Sequence, residues 1–293
     1  MHIRQAKNNL RGIWLMIIGS AVLVTSDAVS KILAESYPIW QVISLRHIGA
    51  ILVIVLYAKF VAGFGALRVN YWPSQILRGL IFCITVYFVI WSLQVLPLPT
   101  FTAIVFSGPF FVAILSMPLL DEKVDWRRWI AILIGFSGML IIVRPGTPDF
   151  EWVLLLPICA AICAAFRDIV TRKISNSETS IAILFWSTII VTLVSLLAIP
   201  LGWDDLTWSD TGLFLVNGVL NAGAHFLIIE ALRNGEAALV SPFRYSALIW
   251  SIVFGIILWG HIPDPWVFGG CAVIAASGIH MIRHENRMTE VKD

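Results

Sequence analysis

The sequence predicts an all-α integral membrane protein of ten transmembrane helices, arranged as two inverted five-helix repeats. Three observations predict it: too much apolar residue for a soluble core, ten apolar stretches of membrane-crossing length, and a match between the two halves of the chain. Of 293 residues, 59% are hydrophobic and 13% charged, against about 25% charged in an ordinary globular protein. The 20 basic and 18 acidic residues cluster between long apolar runs, and are too few to wet the surface of a soluble fold. A net charge of +2 excludes a nucleic-acid-binding surface. Cys83, Cys159, Cys163 and Cys271 all fall inside apolar runs, where thiols behave as small hydrophobes, so no disulfide framework is expected.

About 20 residues at 1.5 Å each cross about 30 Å of hydrocarbon. Segments of that kind lie at 11–32, 39–60, 74–96, 99–120, 127–144, 151–172, 180–201, 211–231, 237–259 and 264–283. They lack period-two alternation and are about twice as long as a barrel strand. Arg4, Lys7 and Arg11 precede the first span with no small-residue cleavage site after it, which reads as an uncleaved first helix. With the N-terminus cytoplasmic, one side collects Arg4, Lys7, Arg11, Lys59, Arg68, Arg78, Lys123, Arg127, Arg128, Arg172, Lys173, Arg233, Arg283, Arg287 and Lys292, fifteen of the twenty basic residues; the other has Lys31 and Arg144. The positive-inside rule then puts both termini in the cytoplasm and requires an even number of spans. The opposite loops carry Glu35, Asp149, Glu151, Asp204, Asp205, Asp210 and Asp264. Trp40, Trp72, Trp126, Trp152, Trp203, Trp208, Trp259 and Trp266 fall at headgroup level, as an aromatic belt does. The expected setting is the lipid bilayer of the cell inner (plasma) membrane, with a cytoplasmic tail over 284–293.

The second half matches the first at an offset of about 140. Asp27-Ala-Val-Ser-Lys31 meets Asp168-Ile-Val-Thr-Arg172, Phe106-Ser107 meets Tyr245-Ser246, Leu119 meets Leu258, Asp125 meets Asp264, and Ser137-Gly138 meets Ser277-Gly278. Five spans is an odd number, so two such units, 11–144 and 151–283, lie upside down relative to each other. Inverted repeats with a midplane site between them are a recurring build of secondary transporters. The 5+5 arrangement, Ser44-Leu45-Arg46-His47 in span 2 and the weakly similar halves resemble the drug/metabolite transporter superfamily, EamA type. Asp27-Ala-Val-Ser-Lys31, Arg167-Asp168-Ile-Val-Thr-Arg172 and Ser241-Pro-Phe-Arg-Tyr245 look closer to its branch of S-adenosylmethionine and riboflavin uptake carriers. That resemblance implies a metabolite carrier and does not fix the substrate.

An ionisable side chain near the bilayer centre costs about 2.5–3.5 kcal/mol even on lenient scales, so it needs a partner or a wet cavity. Arg46 lies about six residues, or roughly 9 Å, inside Trp40, and Arg244 a similar depth from the other face. Both are expected to bind an anionic group of a substrate, or else to hold helices together by pairing with Asp27, Asp168 or Glu230. Asp27 with Lys31, and Asp168 with Arg172, are four apart and able to form i,i+4 pairs; the expectation is of symmetry-related gates, or of plain solvated helix ends. Asn217, Asn221 and His225 form a stripe at steps of four that must face the interior. They line the cavity or serve as interhelical hydrogen-bond glue, and His225 is a candidate proton relay. Pro109 and Pro242 are expected to free backbone carbonyls beside the site, although Pro242 also suits the first turn of a helix.

Gly135-Phe-Ser137-Gly138 raises a rhomboid-like serine protease as an alternative, with His225 or His280 as base, but Ser277-Gly278 at the matching place reads as helix packing. A channel would want rings of like polar residues. No metal-binding spacing, catalytic set or cofactor motif occurs. The expectation is therefore a secondary carrier for a small polar metabolite, zwitterionic or anion-bearing, monomeric or homodimeric, with a proton as candidate coupling ion. Its substrate residues would be Arg46, Arg244, Tyr245, Asn217, Asn221 and His225; Asp27, Lys31, Arg167, Asp168, Arg172 and Glu230 would form its charge pairs.

Overall fold

Inside hydrocarbon every backbone amide must be satisfied within its own segment, which leaves helices as the solution for a chain this apolar without barrel periodicity. The computed structural model describes residues 2–120, 126–144, 151–235, 237–273 and 276–277, without the side chains of 2–8, 109, 127, 128, 131, 237, 238 and 242. Asp125, Gly278, His280, Lys123, Asp149, Arg283, Arg287, Lys292 and the tail lie outside the described residues, as do the side chains of Arg4, Lys7, Pro109, Arg127, Arg128 and Pro242.

The described residues form helices and connecting loops, with no strand among them. The helices are α1 (His2–Ala34), α2 (Ile39–Tyr57), α3 (Trp72–Val95), α4 (Leu98–Val105), α5 (Gly108–Leu120), α6 (Trp126–Val143), α7 (Leu155–Ile174), α8 (Ser180–Leu196), α9 (Trp208–Asn234), α10 (Ala237–Val240), α11 (Ala247–Trp259) and α12 over 265–273. Seven helical stretches among the described residues are long and apolar enough to cross a membrane, and Ile132–Val143 and Phe243–Trp259 are shorter apolar helices. The chain is thus a multi-pass membrane protein.

Two expected spans are broken. The fourth stops at Val105, turns at Phe106 and Ser107, and resumes at Gly108; Pro109 has no N–H to bond the carbonyl four residues back, at Val105, where the first piece ends. The ninth is α10, a 3-10 turn over Ser241–Ser246, then α11. Phe106 and Tyr245, one from each break, meet edge to face at 5.5 Å.

The principal helix pairs join the two halves of the chain: α1 with α9, α3 with α7, α2 with α9, α3 with α8, α2 with α8, α5 with α7, and α4 with α11. The halves interleave, and their mutual surface is the core. Without a hydrophobic drive between helices in lipid, small residues that let backbones approach carry the packing. Gly49 and Gly218 do so at the α2–α9 crossing, where a Cβ on Gly218 would lie 2.6 Å from the Gly49 carbonyl carbon.

Each end of the bundle is tied by loop contacts. At one end Gln41 exchanges two hydrogen bonds with the backbone of Asp204, at 2.8 and 2.9 Å, and Trp40 Nε1 donates to Gly202 O at 2.8 Å. Tyr37 donates to Asp210 at 2.7 Å, which holds the phenol above its usual pKa. At the other end the Glu178 carboxylate accepts from the backbone N–H groups of Asn70 and Tyr71, at 2.8 and 2.9 Å.

Gly218→Ala is expected to cost about 1–3 kcal/mol through overpacking at the α2–α9 crossing, whereas Gly223→Ala, in open space, should be near neutral. Thermal unfolding of both variants in the same detergent checks this, and equal midpoints would contradict the close-approach account.

Candidate functional site

The helix crossings leave a cavity of about 100 Å³ between the halves, lined by α1, α2, α3, the α4–α5 break, α7, α9 and the start of α11. Most of its wall is apolar, but Asp27, Arg46, Arg167, Asp168 and Arg244 all border it, with Asn221 and His225. Five formal charges therefore face one small space inside a bundle that has left water.

Asp168, 1% exposed, is the most heavily partnered. Its Oδ1 accepts from Arg167 Nε at 3.1 Å and NH2 at 2.9 Å. Its Oδ2 lies 2.7 Å from Arg244 NH2, out of hydrogen-bond alignment. Two guanidiniums on one carboxylate compensate the desolvation that a single buried charge would suffer. Arg244 sits in the 3-10 break, so the pair ties α7 to the broken span; its Nε rests on Met16 Sδ at 3.4 Å. Across the cavity, Arg46 NH1 lies 4.0 Å from Asp27 Oδ1 and donates to Ser30 Oγ at 3.0 Å.

Neither expected i,i+4 pair forms. Lys31 reaches past Asp27 to donate to the carbonyls of Leu93 and Leu96, at 2.7 and 3.0 Å, because the end of α3 presents backbone acceptors there. Arg172 donates to the carbonyls of Leu232 and Arg233, at the end of α9. The two cations, one from each half, each cap a helix C-terminus within their own half, and the expected pairs at 27/31 and 168/172 are not made in this structure. Glu230 is likewise away from the cavity: it accepts from Ser180 Oγ and pairs with Arg233 at 3.4 Å.

The polar stripe on α9 divides. Asn217 is helix glue, accepting from Ser26 Oγ at 2.6 Å and donating to Ser30 Oγ at 2.9 Å. Asn221 and His225 line the cavity. Tyr245 does not line it; its ring packs on Phe106 at the rim. Ser137 is exposed on α6 and donates to Ile134 O at 2.7 Å, so the protease alternative has its nucleophile on the outer face.

Sequence reasoning missed Phe82 and misread Arg78. Phe82 is a buried hub: the guanidiniums of Arg78 and Arg167 stand 5.8 and 5.6 Å from its ring, and His47 and His225 meet it edge on at 5.8 and 4.8 Å. Arg78 was counted with the loop cations but is buried on α3, donating to Thr171 Oγ1 at 2.7 Å, to Ile183 O at 3.3 Å and to Ser187 Oγ. Its place a turn and a half inside Trp72, four residues before Phe82, was the available signal.

Facing the cavity, three arginines oppose two aspartates, a surplus of one positive charge. Arg46 Nε and Asn221 Nδ2 have no hydrogen-bond partner among the described residues.

A helical membrane bundle with a charged cavity between interleaved halves is the build of a solute transporter. The sequence profile of the EamA-like transporter family matches residues 10–144 and again 151–283, and the chain belongs to that family. It is similar to the S-adenosylmethionine uptake transporter of Rickettsia prowazekii, 26% identical with 98% of this chain and 97% of that one covered. It also resembles the riboflavin transporter of Vibrio cholerae (28% identical; 94% and 93% covered) and the pseudopaline exporter of Pseudomonas aeruginosa (24% identical; 93% and 96% covered). One crystal structure superposes with a TM-score of 0.74 at 15% identity, over 97% of this chain and 99% of that one, a likeness of fold. The protein is a membrane metabolite transporter and not an enzyme.

Removing one partner of a buried ion pair costs about 3–5 kcal/mol, because the other charge is left uncompensated. Asp168→Asn should therefore lower the unfolding midpoint more than Asp168→Asn with Arg244→Gln together. A double mutant no more stable than the single one would mean that the two side chains do not act as a pair.

Proposed function

We propose that the protein is a secondary carrier that moves a small polar organic metabolite, zwitterionic or anion-bearing, by alternating access. The observation that carries this reading is the surplus of positive charge and unpartnered donors on the cavity wall. A ligand with an anionic group restores the balance that burial otherwise denies these groups. The names of the relatives support the metabolite class: S-adenosylmethionine and riboflavin are the candidates to try first, with other amino-acid derivatives after them.

Ten spans in two inverted five-helix repeats, 11–144 and 151–283, are the architecture we propose for it. The double match of the family profile supports two units. So does the reciprocity of the helix pairs. Exchanging the first unit for the second turns α1–α9 into α7–α3, α2–α9 into α8–α3, and α5–α7 into α11–α1, each of which is made. The basic residues support cytoplasmic termini in the cell inner membrane. Energy comes from a gradient of ion or substrate, a proton being the first coupling ion to test.

Arg46→Lys and Arg244→Lys keep the charge but lose the planar fork. In proteoliposomes both should reduce uptake of labelled S-adenosylmethionine or riboflavin at least tenfold while remaining monodisperse. Wild-type uptake by both variants would overturn the assignment of these arginines to the substrate.

A further inference from the structure

The two cavity carboxylates are held in different ways. Asp168 is engaged by two guanidiniums, with Arg167 NH2 at 2.9 Å and Arg244 NH2 at 2.7 Å. Asp27, on the opposite wall, has one cation in range among the described residues, Arg46 at 4.0 Å, and no described group donates a hydrogen bond to its oxygens. Arg46 spends NH1 on Ser30 and keeps a buried Nε without a partner. Asp27 and Arg46 are 7% and 2% exposed, and both border the cavity. A buried charge is compensated by charge-assisted hydrogen bonds, and a 4.0 Å contact supplies none.

The pair thus presents, side by side, an acceptor short of donors and a donor short of an acceptor. Lys31, one turn along α1, does not compete for Asp27, because its ammonium is taken by the carbonyls of Leu93 and Leu96. Asp168 does not compete for Arg46, because it is held on the far wall. An ammonium and a carboxylate carried on one carbon atom have the complementary arrangement: opposite charges a few ångströms apart, donors on one and acceptors on the other.

We propose that Asp27 and Arg46 together clamp the head group of an α-amino acid, the ammonium on Asp27 and the carboxylate on Arg46. This rests on the carrier reading and narrows its substrate class to metabolites bearing that head group, with the rest of the molecule in the apolar part of the cavity. S-adenosylmethionine carries such a head group; riboflavin does not.

The test is binding to the purified full-length protein in lipid nanodiscs. The probes are S-adenosylmethionine, its decarboxylated form, its deaminated analogue, and riboflavin. Wild type should bind S-adenosylmethionine at least tenfold more tightly than either truncated analogue. Asp27→Asn should lose the preference for the intact ligand over the deaminated one, and Arg46→Gln the preference over the decarboxylated one. This crossed pattern is one that a merely structural pair would not give. Wild type binding riboflavin but not S-adenosylmethionine would overturn the head-group clamp and leave the carrier reading standing, whereas binding of none of the four would overturn both. Equal loss of all ligands in both variants, with size-exclusion profiles unchanged, would also overturn the clamp.

Discussion

Asp168 is the charge on which the cavity depends. A carboxylate that deep in an apolar bundle is tolerated when its neighbours neutralise it, and the two that do so come from different places in the chain. Arg167 adjoins it on α7, while Arg244 comes from the 3-10 break beyond α10. Through Arg244 the ion pair fixes where the broken span lies against α7. Through Arg167, whose guanidinium faces Phe82, it reaches α3, and from there His225 on α9. The polar wall of the cavity is in this sense one connected set of contacts.

That connection requires the halves to interleave. If each half packed mainly within itself, Asp168 and Arg244 would share a bundle with each other but not with Asp27 and Arg46. The crossing of α2 over α9 at Gly49 and Gly218, with the Gln41 and Glu178 ties at opposite ends, draws the first half onto the second. Lys31 and Arg172 add matching cation caps on helix ends within their own halves, on α3 and α9 respectively. A carrier needs its ends to open, and ties made of a few hydrogen bonds, each worth about 1 kcal/mol net, can be broken in turn without unfolding the core.

Much of this was legible in the sequence because hydrocarbon is an unforgiving solvent. Apolar runs of membrane-crossing length had to be helices, and deep charges such as Arg46, Asp168 and Arg244 had to find one another or a cavity. Asn221 and His225 followed from a four-residue step. What was not legible was choice of partner. The spacing of Asp27 and Lys31 permits a pair, but a lysine has long reach, and the free carbonyls at the end of α3 belong to another helix that local spacing cannot see. Glu230 and Asn217 were placed correctly on their helix, yet their neighbours, Ser180 and Ser26, decide that they serve packing. Arg78 was hidden by its proximity to a span end, and Phe82 by being one apolar residue among many.

The central claim is that the transported metabolite sits among these charges, between the two halves. A cryo-EM structure of the full-length protein with the metabolite that it transports in proteoliposomes tests it most directly. Ligand density is expected inside the cavity, its anionic group on Arg46 or Arg244 and any ammonium on Asp27, with Asp168 still held by Arg167. Density outside that cavity, or in it without contact to any of these side chains, would contradict the account.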